Sequence, residues 1–221
     1  FSTEGVEAFI PLAKYFVCVV AALTVHAIIT YSVLLKTVGG LSPIVFFRKM
    51  RAAQLFAFST ASSNATIPVT LESVQSRLGV DDSVASFTVP FGATINMDGT
   101  AIMQGVATVF IAQVYGVDLS LGDFLTVIIT ATLASIGTAG VPGVGLIMLA
   151  MVLQQVGLPV EGIALIIGVD RLLDMMRTAV NITGDAAATC VIAKSEGCLN
   201  IDRYTDPSAG LKAPKRALMP S

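Results

Sequence analysis

The sequence predicts an all-α integral membrane protein: transmembrane helices plus two re-entrant helical hairpins of opposite entry, arranged as an inverted repeat. Three observations lead there. The chain is 54% hydrophobic and 13% charged, where a soluble domain is about 25% charged. Tyr15 to Leu35 holds no Asp, Glu, Lys or Arg, and about 20 such residues suffice to span a bilayer. The remaining apolar stretches are interrupted by small and polar runs at corresponding places in two halves.

The first helix is expected over 6–39, with Lys14 and Lys36 bracketing the charge-free run inside it. Residues 42–78 follow. Ser42-Pro43 opens a helix through Phe58, with proline at its first turn. Arg48, Lys49 and Arg51 make its first half too charged to span. The polar run Ser59 to Thr66 separates it from a second short arm, Ile67 to Leu78. Two short arms around a polar tip predict the first re-entrant hairpin, whose tip backbone is tolerable at depth where it lines a cavity.

Residues 83–116 form the next apolar segment, broken at Asn96-Met97-Asp98-Gly99-Thr100. That predicts a discontinuous helix with unwound carbonyls free to coordinate a cation. Residues 119–156 give two arms, Leu119 to Gly137 and Leu146 to Val156, around the tip Thr138 to Gly145. The second arm is too short to span, so this is the second hairpin. Residues 161–195 form the last helix, and 201–221 a polar, loosely ordered tail. Residues 1–200 are read as one domain.

The halves echo each other. One reads Ala65-Thr66-Ile67-Pro68-Val69-Thr70 and then Asn96-x-x-Gly99; the other reads Ala139-Gly140-Val141-Pro142-Gly143-Val144 and then Asn181-x-x-Gly184. No basic residue occurs between Leu78 and Asp170, so the turns near Asp118 and Glu161 are predicted outside. Lys36, the Arg48–Arg51 cluster, Arg77, Lys212, Lys215 and Arg216 are predicted inside, with a cytoplasmic C-terminus.

Composition excludes some functions. A net charge of −2 with no basic or aromatic patch gives no sign of nucleic-acid binding. Cys18, Cys190 and Cys198 have no metal-ligand spacing, and no structural disulfide is expected. Cys18 and Cys190 read as small core residues, and His26 as a packing residue. The chain opens Phe1-Ser2-Thr3-Glu4 without a signal peptide, and an upstream part is expected.

The stretch Asp170 to Asp185 carries the chemistry. At roughly 100° per residue, Asp170, Asp174, Arg177, Thr178, Asn181 and Asp185 fall within an arc of about 100°. A charge at mid-membrane costs about 2.5–3.5 kcal/mol on insertion scales, so the face must look into protein or water. One reading is a pairing face, with Arg177 neutralising Asp174. The other is a site for an ion and a charged solute. Three carboxylates against one guanidinium, with Arg171 at the edge, favour the second.

Together these residues resemble the dicarboxylate/amino acid:cation symporter family, which includes excitatory amino acid transporters and archaeal aspartate transporters. The resemblance runs from about Val6 to Gly197. It rests on the serine-rich tip, Asn96-Met97-Asp98-Gly99-Thr100, Ser135-Ile136-Gly137-Thr138-Ala139-Gly140-Val141-Pro142-Gly143 and the Asp170–Asp185 face. It implies the transport domain of a glutamate-transporter-like fold, with the scaffold helices absent from this chain.

By that resemblance Asp174 binds the substrate amino group and Arg177 its side-chain carboxylate. Thr178, Asn181 and Thr100 complete the pocket, with backbone at Ala61, Ser63, Val141 and Gly145. One sodium site uses Asp185, Asn181 and the carbonyls of Gly92 and Asn96. A second uses the carbonyls of Thr94, Ser135, Ile136 and Thr138. A third uses Asp98 and Asn96 together with residues outside the chain. Two departures stand out: Gln104 replaces a Glu of the proton-coupled animal members, and Ala61 and Met175 stand where an arginine is frequent.

The expected function is sodium-coupled symport of an acidic amino acid by alternating access, with no cofactor and no enzymatic activity. The partners are the substrate, sodium, the bilayer and a homotrimer in the plasma membrane. Neutral amino acid or C4-dicarboxylate carriage is the alternative within the family. An intramembrane aspartyl protease and an ion channel are more remote. Asp170 and Asp185 lie about 22 Å apart along the axis and cannot share a proton, leaving only Asp98 with Asp185.

Overall fold

The charge-free run folds as expected into one long helix. In the computed structural model, which describes residues 3–210 with side chains from residue 9, α1 spans Thr3–Val25. It continues through a π turn at His26–Thr30, the short α2 (Tyr31–Val33) and a second π turn at Leu34–Val38. Among the described residues, Phe9–Val38 is the one helix long and apolar enough to cross a membrane by itself.

Helix α3 (Pro43–Thr60) begins with Pro43 in its first turn, where a missing N–H is harmless. It ends at Ala61, a non-glycine residue at φ 51. Ser62 then caps α4 (Ser63–Glu72): its hydroxyl accepts the Ala65 amide at 3.2 Å. This corrects the expected second arm, which starts at Ser63 rather than Ile67. The polar run is mostly helical because the Ser62 cap satisfies a first-turn amide, so the tip is only Ala61 and Ser62. A π turn, Ser73–Arg77, closes the arm.

Helix α5 (Asp82–Ile95) is capped by Asp81, and the Ser83 hydroxyl and amide hold that carboxyl below its usual range. The next break is shorter than expected. Only Asn96 and Met97 are unwound, and α6 (Asp98–Val114) already contains Gly99 and Thr100. An aspartate at the first position suits a helix N-terminus, which favours negative charge. A Ser120–Asp123 capping box starts α7 (Leu121–Ile136), and α8 (Val144–Gln155) follows its tip. Ile163 belongs to a 3₁₀ turn, Val160–Leu165, so the last long helix, α9, spans Ile167–Ser195.

Helix α9 is central: α1, α3, α4, α5 and α6 all pack on it. Helices α3 and α4 pack as one pair, α7 and α8 as another. Between apolar helices in lipid, close backbone approach replaces the hydrophobic effect as the source of association. Small residues supply it here. A Cβ on Gly92 would come within 2.9 Å of the Asp185 carboxylate, and one on Gly99 within 2.9 Å of the Arg177 carbonyl. The outer faces carry exposed Ile28, Ile29, Phe87, Phe91, Leu125, Ile128, Ile129 and Leu133, as a lipid-facing surface requires.

Two expectations fail. Residues 201–206, the start of the expected loose tail of 201–221, are folded. Leu199 bridges Val80, and α10 (Ile201–Thr205) buries Tyr204, whose hydroxyl donates to the Ser42 carbonyl at 2.9 Å. Buried Lys49 donates to the carbonyls of Arg77 and Arg203, each at 2.7 Å. A buried ammonium needs such partners, and α10 supplies one. Lys212, Lys215 and Arg216 lie outside the described residues. Cys18 is exposed rather than a core residue, because its side of α1 faces outward beside Val17.

Candidate functional site

Helix periodicity puts the polar face of α9 inward, and all six of its members are buried, Arg177 at 1% exposure. Arg177 spans two acids: Nη1 donates to Asp170 Oδ1 and Nη2 to Asp174 Oδ1, both at 2.8 Å. The pairing predicted with Asp174 is therefore present, and Asp170 shares it. Asp174 Oδ2 also accepts the Gly143 amide from the α7–α8 tip at 3.0 Å.

One cavity gathers most of the substrate-site candidates. Ala61, Ser63, Thr100, Val141, Gly145, Asp174, Thr178 and Asn181 all line it. Arg177 does not, being drawn aside by its two aspartates. Met97, Ala139 and Gly140 line it too. The cavity holds about 20 Å³, room for roughly one water. It is small because the two tips touch. The Gly140 carbonyl accepts the Ser62 hydroxyl at 2.7 Å and the Asn64 amide at 3.1 Å. Nothing much larger than a water fits while the tips stay in contact.

Below the cavity the broken helix meets α9. Asn181 Oδ1 accepts the Gly99 amide at 2.8 Å, and its Nδ2 donates to Met97 Sδ at 3.1 Å. Asn96 Nδ2 donates to Asp185 Oδ1 at 2.9 Å and to the Asn181 carbonyl at 3.1 Å. Gly92, Asn96, Asn181 and Asp185 thus form one oxygen-rich cluster, with Gly92 pressed against Asp185. Hard cations take oxygens of this kind. Of the remaining cation-site candidates, Ser135 and Thr138 are buried, while Thr94 and Ile136 are exposed. Helices α5 and α7, which carry Thr94 and Ile136, pack against each other.

Asp98 has partners that sequence reading missed. Its Oδ1 accepts the Gly99 amide at 2.9 Å. Its Oδ2 accepts the Tyr31 hydroxyl and lies 2.7 Å from His26 Nε2. His26, expected to be a packing residue, is satisfied, but by a candidate ligand. Its position and that of Tyr31, five residues apart with a π turn between, gave no periodic signal. Gln104, wholly buried, donates to the Gly145 carbonyl at 3.3 Å.

Comparison with known proteins adds the following. A model of the sodium:dicarboxylate symporter family matches residues 1–195. The chain is 47% identical over 181 residues to an excitatory amino acid transporter of Caenorhabditis elegans, covering 82% of this chain and 36% of that protein. It is 47% identical over 191 residues to excitatory amino acid transporter 3 of Mus musculus, covering 86% of this chain and 36% of the other. For the Homo sapiens transporter 3 the identity is 45% over the same shares. The chain thus spans little more than a third of the length of these relatives.

Proposed function

Since the chain belongs to the sodium:dicarboxylate symporter family, whose relatives are named as transporters and not as enzymes, we propose that it is the moving transport domain of a secondary active transporter. The cargo is an acidic amino acid, aspartate or glutamate, carried with sodium. One observation carries the reading. Asp174 lines a cavity closed by the tips of two helical pairs, and Arg177, bonded to it from the same buried helix face, stands one turn behind the lining.

The substrate ammonium would bind Asp174. Its side-chain carboxylate would take two parallel bonds from Arg177, whose planar fork suits it. Binding then exchanges partners rather than stripping a buried charge: Arg177 leaves Asp174 for the incoming carboxylate, and the incoming ammonium replaces Arg177 on Asp174. Thr178, Asn181 and Thr100 complete the pocket, with backbone at Ala61, Ser63, Val141 and Gly145. Sodium would bind at Asp185 with Asn181, Gly92 and Asn96, at the carbonyls of Thr94, Ser135, Ile136 and Thr138, and at Asp98 with Asn96. Four buried or half-buried aspartates around a single arginine leave an excess of negative charge for it to offset.

The α3–α4 and α7–α8 pairs are read as re-entrant hairpins of opposite entry, related as an inverted repeat, that gate alternating access. The C-terminus is placed in the cytoplasm, and the whole protein is a plasma-membrane homotrimer joined through a scaffold outside this chain. Neutral cargo would bring no carboxylate to Arg177, and C4-dicarboxylate cargo no ammonium to Asp174. A protease dyad has no support: Asp98 is taken by Tyr31, His26 and Gly99, and Asp185 by Asn96.

The test is isotope uptake of aspartate by the whole protein in proteoliposomes. Uptake is expected to need a sodium gradient and to rise with a negative-inside potential, which contributes about 2.3 kcal/mol per net charge per 100 mV. Undiminished uptake with choline replacing sodium overturns the reading.

A further inference from the structure

The π turn at His26–Thr30 re-aims the helix that carries it, and such turns recur at functional sites. Ile28 and Ile29 face outward at 58% and 56% exposure, yet Tyr31 is turned inward at 3%. Its hydroxyl reaches two acceptors: the Asp98 carboxylate, and the Val180 carbonyl at 3.1 Å. Gly184 makes the room for it and for Asn96, since a Cβ there would clash with Asn96 Nδ2 and stand 2.7 Å from the phenolic oxygen.

A phenol has one hydrogen and can give it to one acceptor at a time. The bond to an ionised carboxylate is the stronger, so without an ion the hydrogen lies on Asp98. The neighbouring His26 keeps its place beside the same oxygen: the Thr30 hydroxyl stands 3.2 Å from Nδ1, leaving Nε2 to face Asp98. Should a cation approach Asp98, the phenolic hydrogen has a second home. Turned to the Val180 carbonyl, it exposes a lone pair toward the carboxylate, and both oxygens then face the ion.

We propose that Tyr31 is a sodium ligand at Asp98, its hydroxyl hydrogen covering the carboxylate in the ion-free protein and passing to the Val180 carbonyl when sodium binds. The proposal rests on the sodium-coupled reading of Asp98 and adds to it a ligand from the first helix. No proton leaves the site; the O–H group only rotates. Covering the carboxylate costs little to reverse, because the hydrogen is bonded in both states. Losing the oxygen has no such compensation. Removal of Tyr31's hydroxyl therefore weakens sodium binding instead of strengthening it.

The experiment is sodium titration of the whole protein in detergent, read by calorimetry and by sodium-dependent rise in melting temperature. Tyr31→Phe is expected to lower sodium affinity about tenfold or more, the scale of losing a partner at a metal site. Raising sodium should restore aspartate binding in the variant, which a merely damaged protein would not do. If Tyr31→Phe fails to fold, 3-fluorotyrosine at position 31 takes its place: its fluorine resonance should shift on sodium addition, and an unshifted resonance in protein that binds sodium overturns the proposal. Unchanged or higher sodium affinity in the folded variant overturns the proposal alone. An unchanged number of bound sodium ions and unchanged affinity in Asp98→Asn overturn it through the site. A wild type that does not respond to sodium at all overturns both it and the symport reading.

Discussion

Replacing Arg177 by cysteine separates structural pairing from substrate recognition. The side chain is 1% exposed and bonded to Asp170 and Asp174 at 2.8 Å each. Its loss leaves two buried carboxylates facing one another. Breaking a buried pair in this way typically costs about 3–5 kcal/mol of stability. Were pairing the whole role, substrate preference in the surviving folded fraction would stay as it was. If Arg177 reads the substrate, acidic substrates lose a charge-assisted pair worth about 2–5 kcal/mol, or roughly 30- to 5,000-fold in affinity. Serine and alanine bring no carboxylate to be stranded and should gain relative to aspartate. Arg177→Lys keeps the charge but not the fork, so it should recover stability better than aspartate affinity. The assay is competition binding of aspartate, glutamate, serine and alanine to folded wild-type and variant protein, with thermal unfolding alongside. Full aspartate affinity in Arg177→Cys would place the specificity determinant elsewhere and refute the acidic-substrate reasoning.

Three further outcomes are expected. Gly140→Val would drive a Cβ to 2.7 Å from the Asn64 side chain, so it should prop the tips apart and weaken substrate affinity without preventing membrane insertion; equal affinity by binding titration would make the tip an ordinary turn. Gly99→Ala places a Cβ 2.9 Å from both the Arg177 carbonyl and Asn181 Oδ1, and thermal unfolding should show a loss of about 1–3 kcal/mol from overpacking. Lys49→Met removes both bonds that tie α3 to the Arg77 and Arg203 carbonyls, so limited proteolysis should cut near α10 faster than in wild type, and an unchanged cleavage rate would show that Tyr204 and the Leu199–Val80 bridge suffice to hold the segment.

Much of this protein was legible in the residues because membrane folding imposes local rules. A charge-free run must be a helix, since lipid offers its backbone no other partner. A helix with six polar groups on one face must turn that face inward. Both hold for Phe9–Val38 and for α9. Arg177 could be paired with Asp174 from spacing alone, because one turn fixes their separation.

What the tertiary structure decided lies where segments distant in sequence meet. The Ser62 hydroxyl and the Gly140 carbonyl are 78 residues apart, and no periodicity foretells that one closes the cavity with the other. Asp170's claim on Arg177 was two turns away on the same face, visible as a position but not as a bond. Tyr31 was hidden because a π turn shifts its facing out of the α-helical register that sequence patterns assume. The segment from Ile201 reads as loose from its polarity, yet its start is held by Lys49 and Ser42 from far earlier in the chain. Local spacing determines which residues share a helix face; only packing determines which opposing group each face meets.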